Sequence, residues 1–81
     1  MSPSQCRAAR ALLGLTQQDL AGMARVSVVT VSGFEAAKTK PQRATVEVLR
    51  QALERAGVAF LEGDEAAGDG VRIAAPALYE A

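Results

Sequence analysis

Residues 15–35 read LTQQDLAGMARVSVVTVSGFE, and the rest of the chain is interpreted around them. This segment predicts two short helices. Thr16 begins the first, because its hydroxyl can accept from the backbone N–H of Asp19 while the Asp19 carboxylate returns the contact in a capping box. Ser27 caps the second helix. The first helix has only about eight residues and would not be stable alone, so we expect it to pack against the rest of the chain.

The second of these helices is expected to bury one face only. At about 100° per residue, Val31 and Phe34 lie on the side of Ser27. The positions that point the opposite way are Val29, Ser32, Gly33 and Ala36, with Val28 on the flank. The outward face is therefore small and uncharged.

Two further helices are predicted around this unit. Ser-Pro-Ser-Gln at residues 2–5 opens the first with a cap and a proline in the first turn, and Gly14 ends it. The other runs over about residues 44–56 and stops at Gly57, a natural left-handed residue. The apolar positions at helical spacing in the four helices are Cys6, Ala9 and Leu13; Leu20, Ala21 and Ala24; Val31 and Phe34; and Val46, Leu49, Leu53 and Ala56. They predict one small shared core.

After Gly57 the pattern changes to that of short strands. Residues 58–61 and 71–73 flank a glycine-rich acidic turn at 63–70, which predicts a β-hairpin extension over 58–74. An isolated hairpin is marginal in water, so it needs the helices or a second subunit beside it. Residues 75–81 carry no clear pattern, and a disordered tail is predicted there.

The charges are divided unevenly along a chain whose formal net charge is zero: +4 over residues 1–56 and −4 over residues 57–81. A basic body is compatible with phosphate binding, and an ordinary mixed surface is the alternative. There is no apolar run long enough for a bilayer and no export signal. The single Cys6 cannot form an internal disulfide. A soluble, cytoplasmic protein without membrane association is therefore expected.

The composition argues against an enzyme and predicts no cofactor or metal. The chain has no histidine, the usual acid–base group near neutral pH. Cys6 has no imidazole partner, so we expect a small core residue there, with a redox switch as the alternative. No glycine-rich loop precedes a phosphate-binding helix. An acidic cluster that does not match a calcium loop, and fits a solvated turn, consists of Glu62, Asp64, Glu65 and Asp69.

Three pieces of the central stretch together resemble the phage-repressor type helix-turn-helix, the Cro or XRE family: LTQQDLA at 15–21, Val-Ser at 26–27 and Phe-Glu at 34–35. The resemblance implies a mostly α, four- to five-helix DNA-binding domain over residues 1–57, here followed by the β-hairpin. It also implies a sequence-specific transcriptional regulator of double-stranded DNA, expected to be a repressor. In this family the third helix enters the major groove and the second crosses the backbone.

The resemblance also implies site residues. Gln17, at the start of the second helix, matches a phosphate contact. The other implied DNA-binding residues are Ser27, Val28, Val29, Ser32 and Gly33, which face bases or the adjacent backbone, and Lys38, Lys40 and Arg43, which contact phosphates. Arg10 and Glu35 match a salt bridge of structural importance between helices one and three. Relatives often carry glycine where this chain has Arg25 and Ala37. A left-handed backbone there costs each residue about 1 kcal/mol, and a differently shaped turn is the alternative.

The outward face of the third helix leaves two functions open. Its valines can touch thymine methyl groups, but it lacks the bidentate pairings of Arg with guanine or Gln with adenine. We expect modest direct readout, helped by DNA shape. The alternative is a protein-binding module such as an antitoxin or adaptor. A homodimer is inferred from the short chain and the hairpin, and its candidate contacts are Val48, Phe60, Val71 and Ile73.

Overall fold

The computed structural model describes residues 1–74, which form four helices followed by a two-stranded antiparallel sheet. The elements are α1 (Pro3–Leu13), α2 (Gln17–Ala24), α3 (Val28–Glu35), α4 (Arg43–Arg55), β1 (Val58–Leu61) and β2 (Gly70–Ile73). The predicted mostly α fold with a C-terminal hairpin is confirmed, with four helices in the described part. The tail predicted at 75–81 lies outside the described residues.

The first three helices begin where their capping residues predict. Ser2 Oγ accepts from the Gln5 backbone N–H at 3.1 Å, and Gln5 Oε1 accepts from the Ser2 N–H at 2.9 Å. Thr16 and Asp19 exchange the same two bonds, each at 2.9 Å. Ser27 accepts from the N–H three residues further on. These bonds satisfy N–H groups that a helix start otherwise leaves without partners.

One core is shared by the four helices and the hairpin. Its buried residues are Cys6, Ala9, Leu20, Ala21, Ala24, Val31, Phe34, Leu49, Ala52, Leu53 and Val58. Leu13 and Val46 are partly buried at its margin. The prediction that Ala56 belongs to the core is wrong, because α4 ends at Arg55 and Ala56 lies exposed beyond its last packed turn. Ala52, one turn earlier, is buried instead.

Arg25 and Ala37 both adopt left-handed backbone, each with a φ of 57°. The turn between α2 and α3 therefore keeps the left-handed shape without glycine. The Val26 N–H donates to the Ala21 carbonyl at 3.0 Å beyond the end of α2. A side chain in this conformation brings Cβ too close to the following carbonyl oxygen. The chain carries this strain at two positions.

The hairpin lies with one face on the helices. Val58 is opposite Ile73 and Phe60 is opposite Val71 in the antiparallel register. Val58 belongs to the core, and the other three side chains are half-buried against it. Alternate side chains of a strand point to the same face, so these four side chains form the face of the sheet that covers one side of the core.

Gln5 fastens the hairpin to α1. Its buried side-chain amide donates to the carbonyl of Leu61 at 3.2 Å and to the carbonyl of Gly70 at 3.0 Å. These two residues form the last pair of the sheet before the turn. With Oε1 accepting from Ser2, the amide is bonded through both its oxygen and its nitrogen. Such a group is well tolerated in a buried position, since burying an unpaired amide is costly.

The acidic turn between the strands is held by its own carboxylates. Asp69 Oδ1 accepts from the Gly63 N–H at 2.6 Å. Asp64 Oδ1 accepts from the N–H groups of Ala66 and Ala67 at 2.8 and 3.0 Å. These two backbone bonds lower the pKa of the Asp64 carboxyl. The two aspartates therefore act as turn residues.

We expect Ala37→Gly to raise the free energy of unfolding by about 1 kcal/mol, because glycine adopts the left-handed region without a Cβ clash. Thermal unfolding followed by circular dichroism should show a Tm higher by roughly 4–8 °C for a domain of this size. Ala36→Gly is the matched control. Ala36 has a φ of −83°, so glycine there only adds freedom to the unfolded chain and should lower the Tm. Equal shifts in both variants would contradict strain at Ala37.

Candidate nucleic-acid interface

The outward side of α3 is an uncharged, exposed surface. Val29 is 76% exposed and Val28 is 37% exposed. Ser27 and Ser32 are also exposed, and Gly33 is half-buried. We call these five residues the α3 surface. It arises because α3 buries Val31 and Phe34 on its other side, which leaves the valines, Ser32 and Gly33 facing away from the core. Ser27 is exposed because it caps the start of the helix.

A basic loop follows directly at the end of α3. Lys38 and Lys40 are exposed in it, and the exposed Arg43 is the first residue of α4. The Lys38 N–H donates to the Gly33 carbonyl at 3.0 Å. This bond anchors the start of the loop on the α3 surface. The structure therefore brings predicted base-facing and phosphate-facing residues next to each other.

Gln17 is placed differently from a free surface residue. It is the first residue of α2 and is half-buried. Its side-chain amide donates to Oε1 of Glu35 at 3.1 Å. The nitrogen end of the side chain is thus bonded inside the protein and braces the start of α2 against the end of α3.

A buried carboxylate joins the first three helices. The side chain of Glu35 is 2% exposed and accepts from Arg10 Nε and Nη2, each at 2.7 Å. It also accepts from the Gln17 amide and from the Cys6 thiol, each at 3.1 Å. Arg10 Nη1 donates further to the Leu15 carbonyl at 3.0 Å. The forked Arg–carboxylate geometry is the strongest form of protein ion pair.

These contacts keep the pair charged. Burial would raise the pKa of the Glu35 carboxyl, but the hydrogen bonds from Arg10, Gln17 and Cys6 together with the Arg10 charge lower it below its ordinary value. The hydrogen bond to Glu35 is the main reason that the pKa of Arg10 is raised. Burial, then the bond to Glu35, raises the pKa of the Cys6 thiol to about 12. Cys6 is therefore a protonated donor in the core, unlike a reactive thiolate.

The sequence comparison agrees with this geometry. The sequence profile of a helix-turn-helix family matches residues 7–58, which span most of α1 through the first residue of β1. The chain belongs to this helix-turn-helix family. The resemblance to the Cro and XRE type is confirmed, and with it a DNA-binding regulator of transcription. Among curated proteins, no sequence matches the chain.

The helix-turn-helix protein contains contacts that the sequence did not predict. Arg10 was paired with Glu35, but Cys6 and Gln17 were not expected on the same carboxylate. A signal existed for Cys6, which lies one turn before Arg10 on the same side of α1. Gln17 gave no such signal, because its contact depends on how α2 crosses α3. The sequence also did not predict the contact of Thr39, whose side chain lies against Gly33.

Residues 1–74 of this helix-turn-helix protein contain neither a metal-binding cluster nor a membrane-spanning helix. No group of three or more His, Cys, Asp or Glu side chains is arranged to hold a metal ion. In the same range, no helix combines the length and the apolar character needed to cross a membrane.

Because of the buried Arg10–Glu35 pair, the free energy of unfolding should depend on pH. The pKa of Glu35 in the folded protein lies below its ordinary value of 4.5. Its contribution is therefore complete above about pH 4.5 and is lost as the pH falls through the folded pKa. We expect Glu35→Gln to unfold more easily than the wild type at pH 7, with the difference narrowing progressively as the pH falls below about 4.5.

Urea unfolding at a series of pH values measures this difference. Glu47→Gln, which neutralises an exposed carboxylate on α4, is the control and should follow the wild type. If the difference in free energy of unfolding between Glu35→Gln and the wild type stays constant down to low pH, the Glu35 charge does not contribute to stability.

Proposed function

We propose that this protein is a repressor that binds a two-fold symmetric DNA site as a dimer, with α3 in the major groove and α2 against the phosphate backbone. The α3 surface is the observation that carries the proposal. A helix that leaves Val28 and Val29 in solvent exposes apolar area without benefit to its own fold. Contact with thymine methyl groups would bury that area again.

The charges around the α3 surface support the same orientation. The surface carries no carboxylate that would repel phosphate, since Glu35 is buried and paired with Arg10. Lys38 and Lys40 stand exposed beside it, where lysines can neutralise phosphates on the groove edge and release counterions. Arg43 extends this charge to the start of α4. The second helix begins at Gln17, and the positive end of a helix suits a phosphate near that residue.

Recognition by this surface would combine few direct contacts with DNA shape. Ser32 offers a hydroxyl group that can hydrogen-bond to several bases, whereas the Ser27 hydroxyl is engaged with Thr30, and the two valines can contact thymine methyl groups. No side chain of the α3 surface is of a type that forms a bidentate pair with a base. The selectivity should therefore depend strongly on groove shape and on the spacing of two half-sites.

The salt dependence of binding tests the phosphate contacts. The wild type should bind random-sequence duplex DNA at low salt. The logarithm of its binding constant should fall linearly with the logarithm of the salt concentration, with a slope of about −0.9 for each phosphate neutralised. Lys38→Ala/Lys40→Ala should make that slope shallower by about 2. Arg55→Ala/Arg72→Ala removes the same charge at exposed positions away from the loop and should leave the slope nearly unchanged.

If the salt dependence of binding has the same slope in the two double variants, Lys38 and Lys40 do not contact phosphates. A wild type that binds no duplex at any salt concentration would end the proposal. The fold would then serve the alternative of binding a protein partner.

The dimer is proposed from apolar area outside the helix-turn-helix. Val48 on α4 is 39% exposed and Leu61 at the end of β1 is 41% exposed. The predicted contacts Phe60, Val71 and Ile73 are half-buried against the core of their own chain, so only their outer parts are offered to a partner. A two-stranded sheet also has two edge strands, and either can pair across a symmetry axis.

Two matched substitutions separate dimerisation from DNA binding. Val48→Glu should shift the protein to monomer in sedimentation equilibrium, because a charge would be buried in the interface. Val29→Glu, the same change on the α3 surface, should leave the dimer intact and abolish binding to duplex DNA through repulsion by phosphate. Both positions are exposed, so both variants should fold. An unchanged dimer in Val48→Glu would exclude α4 from the interface.

A further inference from the structure

Gly33 is covered by the side chain of Thr39. A Cβ placed on Gly33 would lie 3.0 Å from Thr39 Oγ1, 3.3 Å from Cγ2 and 3.8 Å from Cβ. The space that a side chain at position 33 would use is thus already filled by the threonine. Gly22 in α2 is different, since a Cβ there would meet nothing within 4 Å.

Backbone hydrogen bonds in the loop after α3 position Thr39 next to Gly33. The Ala37 N–H donates to the Phe34 carbonyl at 3.0 Å, and the left-handed Ala37 turns the chain back along α3. The Lys38 N–H then bonds to the Gly33 carbonyl. Thr39 follows directly and remains exposed, with exposed lysines on both sides. It is held against α3 while its side chain stays accessible.

We propose that Thr39 is a specificity-determining residue of the DNA interface, and that Gly33 is a positioning residue that leaves room for it. This inference rests on the proposed insertion of α3 into the major groove. Gly33 itself has no side chain to offer a base. The threonine in its place presents a hydroxyl that can donate or accept and a methyl group that can contact thymine.

The spacing along α3 indicates that Thr39 and Val29 would contact different base pairs. Gly33 lies four residues, or about 6 Å along the helix axis, after Val29 on the same side of the helix. Base pairs are stacked about 3.4 Å apart along each strand. A side chain over Gly33 would therefore meet base pairs roughly one to two steps from those that Val29 meets. The reading surface would extend to a segment outside the helix.

Selection from random duplex DNA, followed by affinity measurements on the selected site, tests this role. Thr39→Val keeps the branched shape that packs on Gly33 and replaces the hydroxyl with a methyl group that cannot hydrogen-bond to a base. It should lose roughly tenfold preference at one or two adjacent base pairs while binding a scrambled duplex as the wild type does. Val29→Ala is the comparison and should alter different base pairs. Thermal unfolding shows whether each variant keeps its fold.

A double-mutant cycle tests the positioning role of Gly33. Gly33→Ala should push Thr39 aside by a few tenths of an ångström and weaken preference at the same base pairs as Thr39→Val. In the Thr39→Ala background, Gly33→Ala should have no further effect, because the colliding atoms are gone. Gly22→Ala adds the same methyl group to an open helical glycine and should not change the preference.

The outcomes distinguish this inference from the proposed function. A wild type with no preference among duplexes would overturn both. A wild type with a clear preference that Thr39→Val leaves unchanged, or loses equally for every sequence, would overturn only the role of Thr39. A Gly33→Ala effect that persists without Thr39 would overturn the positioning role of Gly33.

Discussion

The placement of α3 depends on one buried carboxylate. Glu35 ends that helix and receives hydrogen bonds from two side chains of α1 and one of α2. A charge can be kept out of water only where its partners meet it, so the donors specify where the end of α3 lies. Arg7 donates to the Glu35 carbonyl as well. A helix of eight residues thereby obtains a fixed orientation that its own backbone could not supply.

The arrangement separates the residues that hold α3 in place from those proposed to contact DNA. The charges that hold α3 are inside, and its outward residues take no part in the core. Val28, Val29 and Ser32 of the α3 surface can therefore vary without loss of the fold, whereas Ser27 caps the helix and Gly33 holds the loop through the Lys38 backbone and the packing of Thr39. In the proposed function, recognition by a helix with few hydrogen-bonding side chains would therefore also involve the loop.

Local chemistry was the predictable part of this molecule. Ser2, Thr16 and Ser27 begin helices because caps act within a few residues. Ala56 was assigned wrongly because periodicity does not reveal where the last packed turn lies. The left-handed Arg25 could not be decided from residue type, since the packed helices impose it. The contacts of Gln17 and Thr39 depend on the crossing of whole elements, and no local pattern encodes that crossing.

The amide of Gln5 has a consequence for how the molecule assembles. It links the first turn of the chain to the Gly70 carbonyl across 65 residues, so this bond closes a loop that contains nearly the whole domain. Closing so long a loop costs chain entropy before other contacts repay it. This entropic cost favours attachment of the hairpin after α1 has formed, since Gln5 can bond to the Gly70 carbonyl only from the first turn of that helix.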